Sequence, residues 1–325
     1  MDYKAMWQTP FARFIGGRLL LTLVTAFVVA IVVFFAVRSA PGDPALNVLG
    51  LQSTEADRVA LRHVMGLDQP LIVQFLTWIG HAVTGDFGYS YSQGRPVASV
   101  IGPALGNTLL LGGAASILAV IIGIGMGNAA TSRWRGVRRA TDWVEAFFLS
   151  APQYTVALIL LVCFAVLLPI FPAGGVSNRD GGGFGDVASH LLLPAVALAL
   201  APGAQLARSL KTSIASLQAT ELLPSLRARG LSPASIAVHA HHNALPPMIT
   251  VLGIQVGSML GGALFVENIF SIPGLGALVV QAVTLRDYAL VQAVSLLIAV
   301  IFIGVLLLAD LLNALLDPRI RVGQR

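Results

Sequence analysis

Six uncharged apolar stretches punctuate this chain, at residues 19–37, 108–130, 146–170, 191–207, 248–266 and 289–309, and none of them holds an Asp, Glu, Lys, Arg or His. A helix rises about 1.5 Å per residue, so roughly 20 such residues cross the ~30 Å hydrocarbon core of a bilayer with every backbone group paired internally. The pattern predicts an all-α, polytopic membrane protein with six transmembrane helices. Charge content agrees, because Asp, Glu, Lys and Arg make up 11% of the chain against roughly 25% in soluble domains. Too little polar surface remains to clothe a soluble globule. The first stretch follows Lys4, Arg13 and Arg18, as the core of a signal peptide would, but its length exceeds the roughly 7–15 residues of a cleaved segment. It is read as an uncleaved first span. Pro152 predicts a bend in the third span, and Pro194 and Pro202 leave the ends of the fourth least defined.

Lys and Arg placement orients the bundle. With both termini in the cytoplasm, fourteen of the 20 basic residues fall on the inner side, among them Arg133, Arg135, Arg138, Arg139, Arg208, Lys211, Arg227 and Arg229. The outer side keeps Arg38, Arg58, Arg62, Arg95, Arg179 and Arg286. A net charge of +5 could serve a nucleic acid, yet the basic residues flank apolar spans instead of forming an aromatic-interleaved patch, so no nucleic-acid partner is expected.

Two connections exceed simple turns. The outer segment, residues 38–107, contains Thr54-x-x-Asp57, a capping-box pattern ahead of Val59, Leu61 and Met65. After Asp68 and Pro70 come Leu71, Ile72, Phe75, Leu76, Ile79 and Val83 at helical spacing, so two helices should form a small folded cap. The inner segment, residues 208–247, is basic, carries Pro224, Gly230 and Pro233, and has the character of a protein contact.

What the spans omit narrows the function. Ion-coupled transporters place ionisable side chains near the bilayer centre, and these spans have none, which weighs against an ion-coupled secondary transporter or channel, the main alternative. Glu267 and Asp310 lie just beyond span ends and are expected to be solvated interfacial carboxylates. The chain has no G-x-x-x-x-G-K-[ST] phosphate loop, so any ATP must bind a partner. An intramembrane hydrolase would need a base beside a serine, yet Ser258 lies in Gly257-Ser258-Met259-Leu260-Gly261-Gly262, a small-residue stretch suited to close helix packing. His239, His241 and His242 do not share one helix face with a carboxylate, so no metal site is expected, and Cys163, the only cysteine, is expected to serve packing.

Glu221-Leu222-Leu223-Pro224-Ser225-Leu226-Arg227-Ala228-Arg229-Gly230-Leu231-Ser232, followed by Asn243-Ala244-Leu245-Pro246-Pro247, resembles the cytoplasmic coupling loop of permeases in binding-protein-dependent ABC importers of the dipeptide, oligopeptide and nickel class. Four further stretches resemble that class in the same order: Pro41-Gly42-Asp43-Pro44; Gly66-Leu67-Asp68-Gln69-Pro70 leading to Gly85-Asp86-Phe87-Gly88-Tyr89-Ser90; Val266-Glu267-Asn268-Ile269-Phe270-Ser271-Ile272-Pro273-Gly274-Leu275-Gly276; and Leu316-Asp317-Pro318-Arg319-Ile320-Arg321. Leu226 replaces a usual small residue, Pro224 precedes it and Pro246 replaces a usual leucine, so the coupling helix is expected to begin later or to bend.

The resemblance implies a type I importer permease fold with a small helical extracytoplasmic insertion. Residues 1–37 would be the cytoplasmic N-terminus and first helix, 38–107 the outer loop, 108–312 the core with its coupling loop at 208–247, and 313–325 the cytoplasmic tail. It implies partners too: a second homologous permease, two ATPase domains that carry ATP and Mg2+, and an extracytoplasmic solute-binding protein, with membrane lipid around the spans. No cofactor would bind this chain. Glu221, Leu226, Arg227, Ala228, Arg229, Gly230 and Leu231 would couple to the ATPase, with Leu226 or Leu231 filling its hydrophobic socket; on the residues alone, these arginines serve equally to set topology or to meet lipid head groups. Glu267, Ile269, Phe270, Pro273 and Gly274 would dock the binding protein or gate the outer mouth.

Overall fold

A computed structural model of the chain describes residues 3–39, 44–50, 52–178 and 183–316. Pro41-Gly42-Asp43, Gly181-Gly182 and the tail from Asp317 onward lie outside the described residues. Among the described residues, five helices are long and apolar enough to cross a membrane: Gly16–Arg38 within α1 (Tyr3–Arg38), α5 (Val97–Ala130), α8 (Gly183–Gln218), α10 (Pro233–Ile269) and Tyr288–Ala314 within α12 (Tyr288–Leu316). A bent pair, α6 (Arg135–Ser150) and α7 (Gln153–Leu161), makes a sixth candidate crossing when the two are counted as one span, with α7 running on into a π-helical turn at Val162–Leu167.

That pair corrects the third expected span. Residues 146–170 do not form one bent helix, because the chain turns by 104° between α6 and α7. Pro152 lacks an N–H and pushes the preceding residue out of the helical region, and Ala151 is accordingly extended with ψ 127. Residues 146–150 finish a helix whose earlier turns carry Arg135, Arg138, Arg139, Asp142 and Glu145, too much charge for a crossing. Pro194 and Pro202, by contrast, sit inside α8 without ending it.

Helix α8 is the axis of the bundle, with α5, α6, α7 and α10 packed on it. Small residues set the spacing: an added Cβ at Gly203 would meet Ile122 of α5, and one at Gly123 would meet Leu206 of α8. In the expected small-residue stretch, Gly257 accommodates the ring of Phe302 and Gly262 the side chain of Gln153. Helix α1 packs instead on α12, where Arg18 pairs with Asp310 at 3.0 Å, so these two ends share one side, here called the basic end.

Between α1 and α5 the cap takes shape at the opposite end. It contains α2 (Pro44–Leu49), α3 (Glu55–Val64), α4 (Leu71–Val83) and a short hairpin of β1 (Tyr89–Ser90) with β2 (Arg95–Pro96). Thr54 caps α3 as expected, its Oγ1 accepting from Asp57 N at 3.2 Å. Helix α4 buries Phe75 against Ala30 and Phe34 of α1, yet leaves Leu71, Ile72, Leu76 and Val83 exposed. This apolar helix lies alongside the span of α1 and not only above it. One unexpected helix, α11 (Leu275–Thr284), joins α10 to α12 at the cap end.

Candidate functional site

At the basic end the inner segment is shorter than expected. Residues 208–218 continue α8 and 233–247 begin α10, so the connector proper is residues 219–232. Pro246 and Pro247 are carried inside α10. Each of α8 and α10, at 36 and 37 residues, extends about 54–56 Å, well beyond a ~30 Å core. Beyond the bilayer their flanks remain packed, with Leu210 and Ile214 against Ala244 and Met248.

Within the connector, α9 (Leu222–Ala228) is held by its own sequence. Pro224 stands in the first turn, where its missing N–H costs no helical bond, so the helix begins before it and not after. Gly230 adopts φ 78 after Arg229, and two bonds close the end: Gly230 N to Arg227 O at 2.9 Å and Leu231 N to Leu226 O at 3.3 Å. This is the glycine-terminated Schellman motif, complete with its apolar contact between Leu226 and Leu231. Ser232 then caps α10, accepting from Ser235 N at 3.3 Å.

Leu223 and Leu226 are buried with Leu217, Leu231, Ile236 and Ala240 of the same chain. Leu226 is therefore spent on the inward face of α9, whereas Leu231, beyond the helix, is half-buried. Glu221, Ser225, Arg227, Ala228, Arg229 and Gly230 remain exposed. The surface so formed is a small, basic knob clamped between two long helices.

Neighbouring polar contacts tie the basic end together. Arg208 Nε donates to Glu145 Oε1 at 2.6 Å, and Lys211 Nζ donates to Asp142 Oδ1 at 2.6 Å, fastening α6 to α8. His241 Nε2 lies 2.8 Å from Asn128 Oδ1, linking α10 to α5. Among the described residues no group of three His, Cys, Asp or Glu is placed to hold a metal ion.

The cap end is built differently. Glu267 is not a solvated interfacial carboxylate: it is 0% exposed. Thr108 Oγ1 donates to its Oε1 at 2.6 Å, and Gly276 N and Ala277 N donate to Oε2 at 2.7 and 3.1 Å. The carboxylate thus caps α11 from α10 while gripping α5, and Thr108 Oγ1 in turn accepts from Leu275 N at 2.8 Å. A Cβ at Gly274 would fall on the Glu267 carboxylate, and one at Gly276 on the Leu264 backbone, which explains both glycines. Phe270 is buried in the main core, Ile269 is half-buried and Pro273 is exposed, its carbonyl accepting from Asn107 Nδ2 at 2.9 Å. Sequence reasoning missed Thr108 and also Asp287, which accepts from Ser90 Oγ at 2.6 Å and Ser92 Oγ at 2.7 Å and so pins the hairpin to the start of α12.

Two family models match this architecture in succession. Residues 11–112 match the N-terminal part of the membrane component of binding-protein-dependent transport systems, and residues 119–322 match "Binding-protein-dependent transport system inner membrane component". The chain belongs to this family of ABC importer permeases. The permease is 36% identical over 95% of its length to the probable peptide ABC transporter permease protein y4tP of Sinorhizobium fredii, covering 99% of that relative. It is equally 36% identical, again over 95% of its length and 99% of the relative, to the glutathione transport system permease protein GsiC of Escherichia coli. The oligopeptide transport system permease protein AppB of Bacillus subtilis is 35% identical, with 95% of the permease and 99% of the relative covered. Among solved structures, an inward-facing form of the MetNI methionine ABC transporter shares the fold with a TM-score of 0.51, covering 66% of the permease and 94% of that chain at 16% identity.

Proposed function

We propose that this permease forms half of the transmembrane path of an ATP-driven peptide importer and that α9 is where two ATPase domains drive it. The observation that carries this reading is α9 itself, whose Arg227 and Arg229 stand exposed while Leu223 and Leu226 lock it to α8 and α10. A rigid knob between two long helices transmits displacement to the spans, whereas a loose loop would absorb it. The exposed guanidiniums fit an acidic rim on a soluble partner. ATP and Mg2+ bind those partners, and the basic end faces the cytoplasm. A second homologous permease completes the path, and a solute-binding protein delivers peptide at the cap end. The relatives' names, peptide, oligopeptide and glutathione, support a peptide-like solute. Glu267, Phe270 and Gly274 are buried, so their part is to hold the outer gate closed in its frame, with Ile269 and exposed Pro273 nearest any docking protein.

The test is ATP-dependent uptake by the reconstituted transporter carrying Arg227→Glu with Arg229→Glu. Uptake should fall at least about tenfold, equivalent to ~1.4 kcal/mol of lost coupling, with insertion and melting temperature unchanged. Unchanged uptake would remove α9 from the coupling path. ATP-independent uptake of the same solute would overturn the importer reading altogether.

A further inference from the structure

Helix α6 is amphipathic, and the bundle covers only one side of it. Arg138, Thr141, Glu145 and Phe148, at helical spacing, turn toward α5 and α8, with Thr141 and Glu145 buried. The outer side carries an apolar strip of Val137, Ala140, Val144 and Phe147, with Trp143 one turn before Phe147. All five are exposed, Trp143 by 77% and Phe147 by 61%. Along the edge of the strip stand Arg135 and Arg139, one turn apart, with Arg133 just before the helix. These three are exposed, and their guanidiniums make no hydrogen bond or ion pair among the described residues. The acids of α6 are already spent, Glu145 on Arg208 and Asp142 on Lys211, both at 2.6 Å.

Two anchors set the depth of this helix. The charge-free stretch of α8 ends at residue 207, and the next two charged side chains, Arg208 and Lys211, are those that hold α6. The charge-free stretch of α5 ends at residue 130, and α6 begins soon after it at Arg135. Both place α6 at the basic end where hydrocarbon gives way to head groups. Its axis is turned by 104° from the uncharged α7, close to perpendicular, so beside a crossing α7 it runs along the membrane surface and not through it. At that depth an apolar strip with an aromatic and basic edge has one natural cover: rings and aliphatic groups enter the boundary layer, and guanidiniums reach out among the phosphates.

We propose that α6 is an interfacial helix whose apolar strip and Trp143 are covered by the leaflet at the basic end, and whose Arg133, Arg135 and Arg139 select anionic phospholipid head groups there. Because its two ion pairs fasten it to α8, α6 braces that helix against the plane of the bilayer, independently of how α9 is driven.

The experiment is quenching of tryptophan fluorescence by brominated lipid, with the whole transporter reconstituted in nanodiscs. Bromines are carried on the acyl chains of phosphatidylglycerol or of phosphatidylcholine. The chain has four tryptophans, so the emission lost on Trp143→Phe isolates Trp143. Trp143 should be quenched by either brominated lipid, and by phosphatidylglycerol at least about twofold more strongly at equal bromine content. Replacing Arg133, Arg135 and Arg139 together by Gln should abolish that preference and keep the quenching. If the triple variant fails to insert, salt replaces it: raising ionic strength should erase the preference in the parent. Trp143 emission untouched by bromine would overturn the proposal and put a second protein or water on the strip. Equal quenching by the two lipids in the parent, or a preference that survives both the triple variant and high salt, would overturn the selection of anionic head groups.

Discussion

The two ends of this permease use carboxylates in opposite ways. At the cap end Glu267 and Asp287 are buried, and each accepts several N–H or O–H groups from distant segments: Glu267 from α5 and α11, Asp287 from the hairpin. At the basic end Asp142 and Glu145 meet Lys211 and Arg208 in pairs that water partly reaches, and the knob beyond them displays Arg227 and Arg229 to the outside. The two cap-end carboxylates are satisfied within the chain, as parts of a frame. The basic end leaves the charge of Arg227 and Arg229 exposed.

Removing the buried acid should show the largest difference. Glu267→Leu strands the Gly276 and Ala277 amides and frees the Thr108 hydroxyl, each a loss of roughly 1–3 kcal/mol, so at least about 3 kcal/mol in all is expected. Glu267→Gln keeps one acceptor and should lose less. Melting of the detergent-purified protein measures both. A Glu267→Leu variant that melts with the parent would mean the cap end is not framed by this carboxylate, and the contrast with the basic end would dissolve.

A smaller effect is expected at the knob. Gly230 holds φ 78, so Gly230→Ala forces a side chain into the left-handed region at about 1 kcal/mol and loosens the Schellman closure of α9. No atom lies within 4 Å of an added Cβ there, so the penalty is conformational and not steric. Because α9 is proposed to be a lever, uptake should fall further than stability does. Equal, small losses in both would make Gly230 a turn residue and nothing more.

Much of this was legible in the chain, for physical reasons that also mark the failures. Long charge-free runs cannot be clothed in water, so the spans and the cap helices at Thr54 and Leu71 were readable, and the resemblance of residues 221–232 to a coupling loop agrees with the family the chain belongs to. The break at Pro152 was signalled but underrated, because residues 146–150 look apolar only when separated from Asp142 and Glu145 on the same helix. The burial of Glu267 was invisible because its main partner, Thr108, is 159 residues away. Leu226 was assigned outward for a similar reason: the residues that cover it, Ile236 and Ala240, belong to the next helix. Local pattern names the elements, and tertiary contact decides which face each one spends.

The smallest effect should come from the ion pair at the basic end that water reaches most evenly. Lys211 and Asp142 are 39% and 49% exposed, so their 2.6 Å contact is screened and Lys211→Ala should cost no more than about 0.5–1 kcal/mol. Arg208→Ala is the internal control, since Glu145 is only 6% exposed and its Oε2 has no partner among the described residues, leaving an uncompensated buried charge. The loss at Arg208 should therefore exceed that at Lys211, while both stay below that of Glu267→Leu. Salt separates them as well: raising ionic strength should erase the Lys211 effect and leave most of the Arg208 effect, read as melting temperature at low and high salt. If Lys211→Ala proved as costly as Glu267→Leu, the basic end would be framed as rigidly as the cap end, and α6 would have to be counted part of the lever.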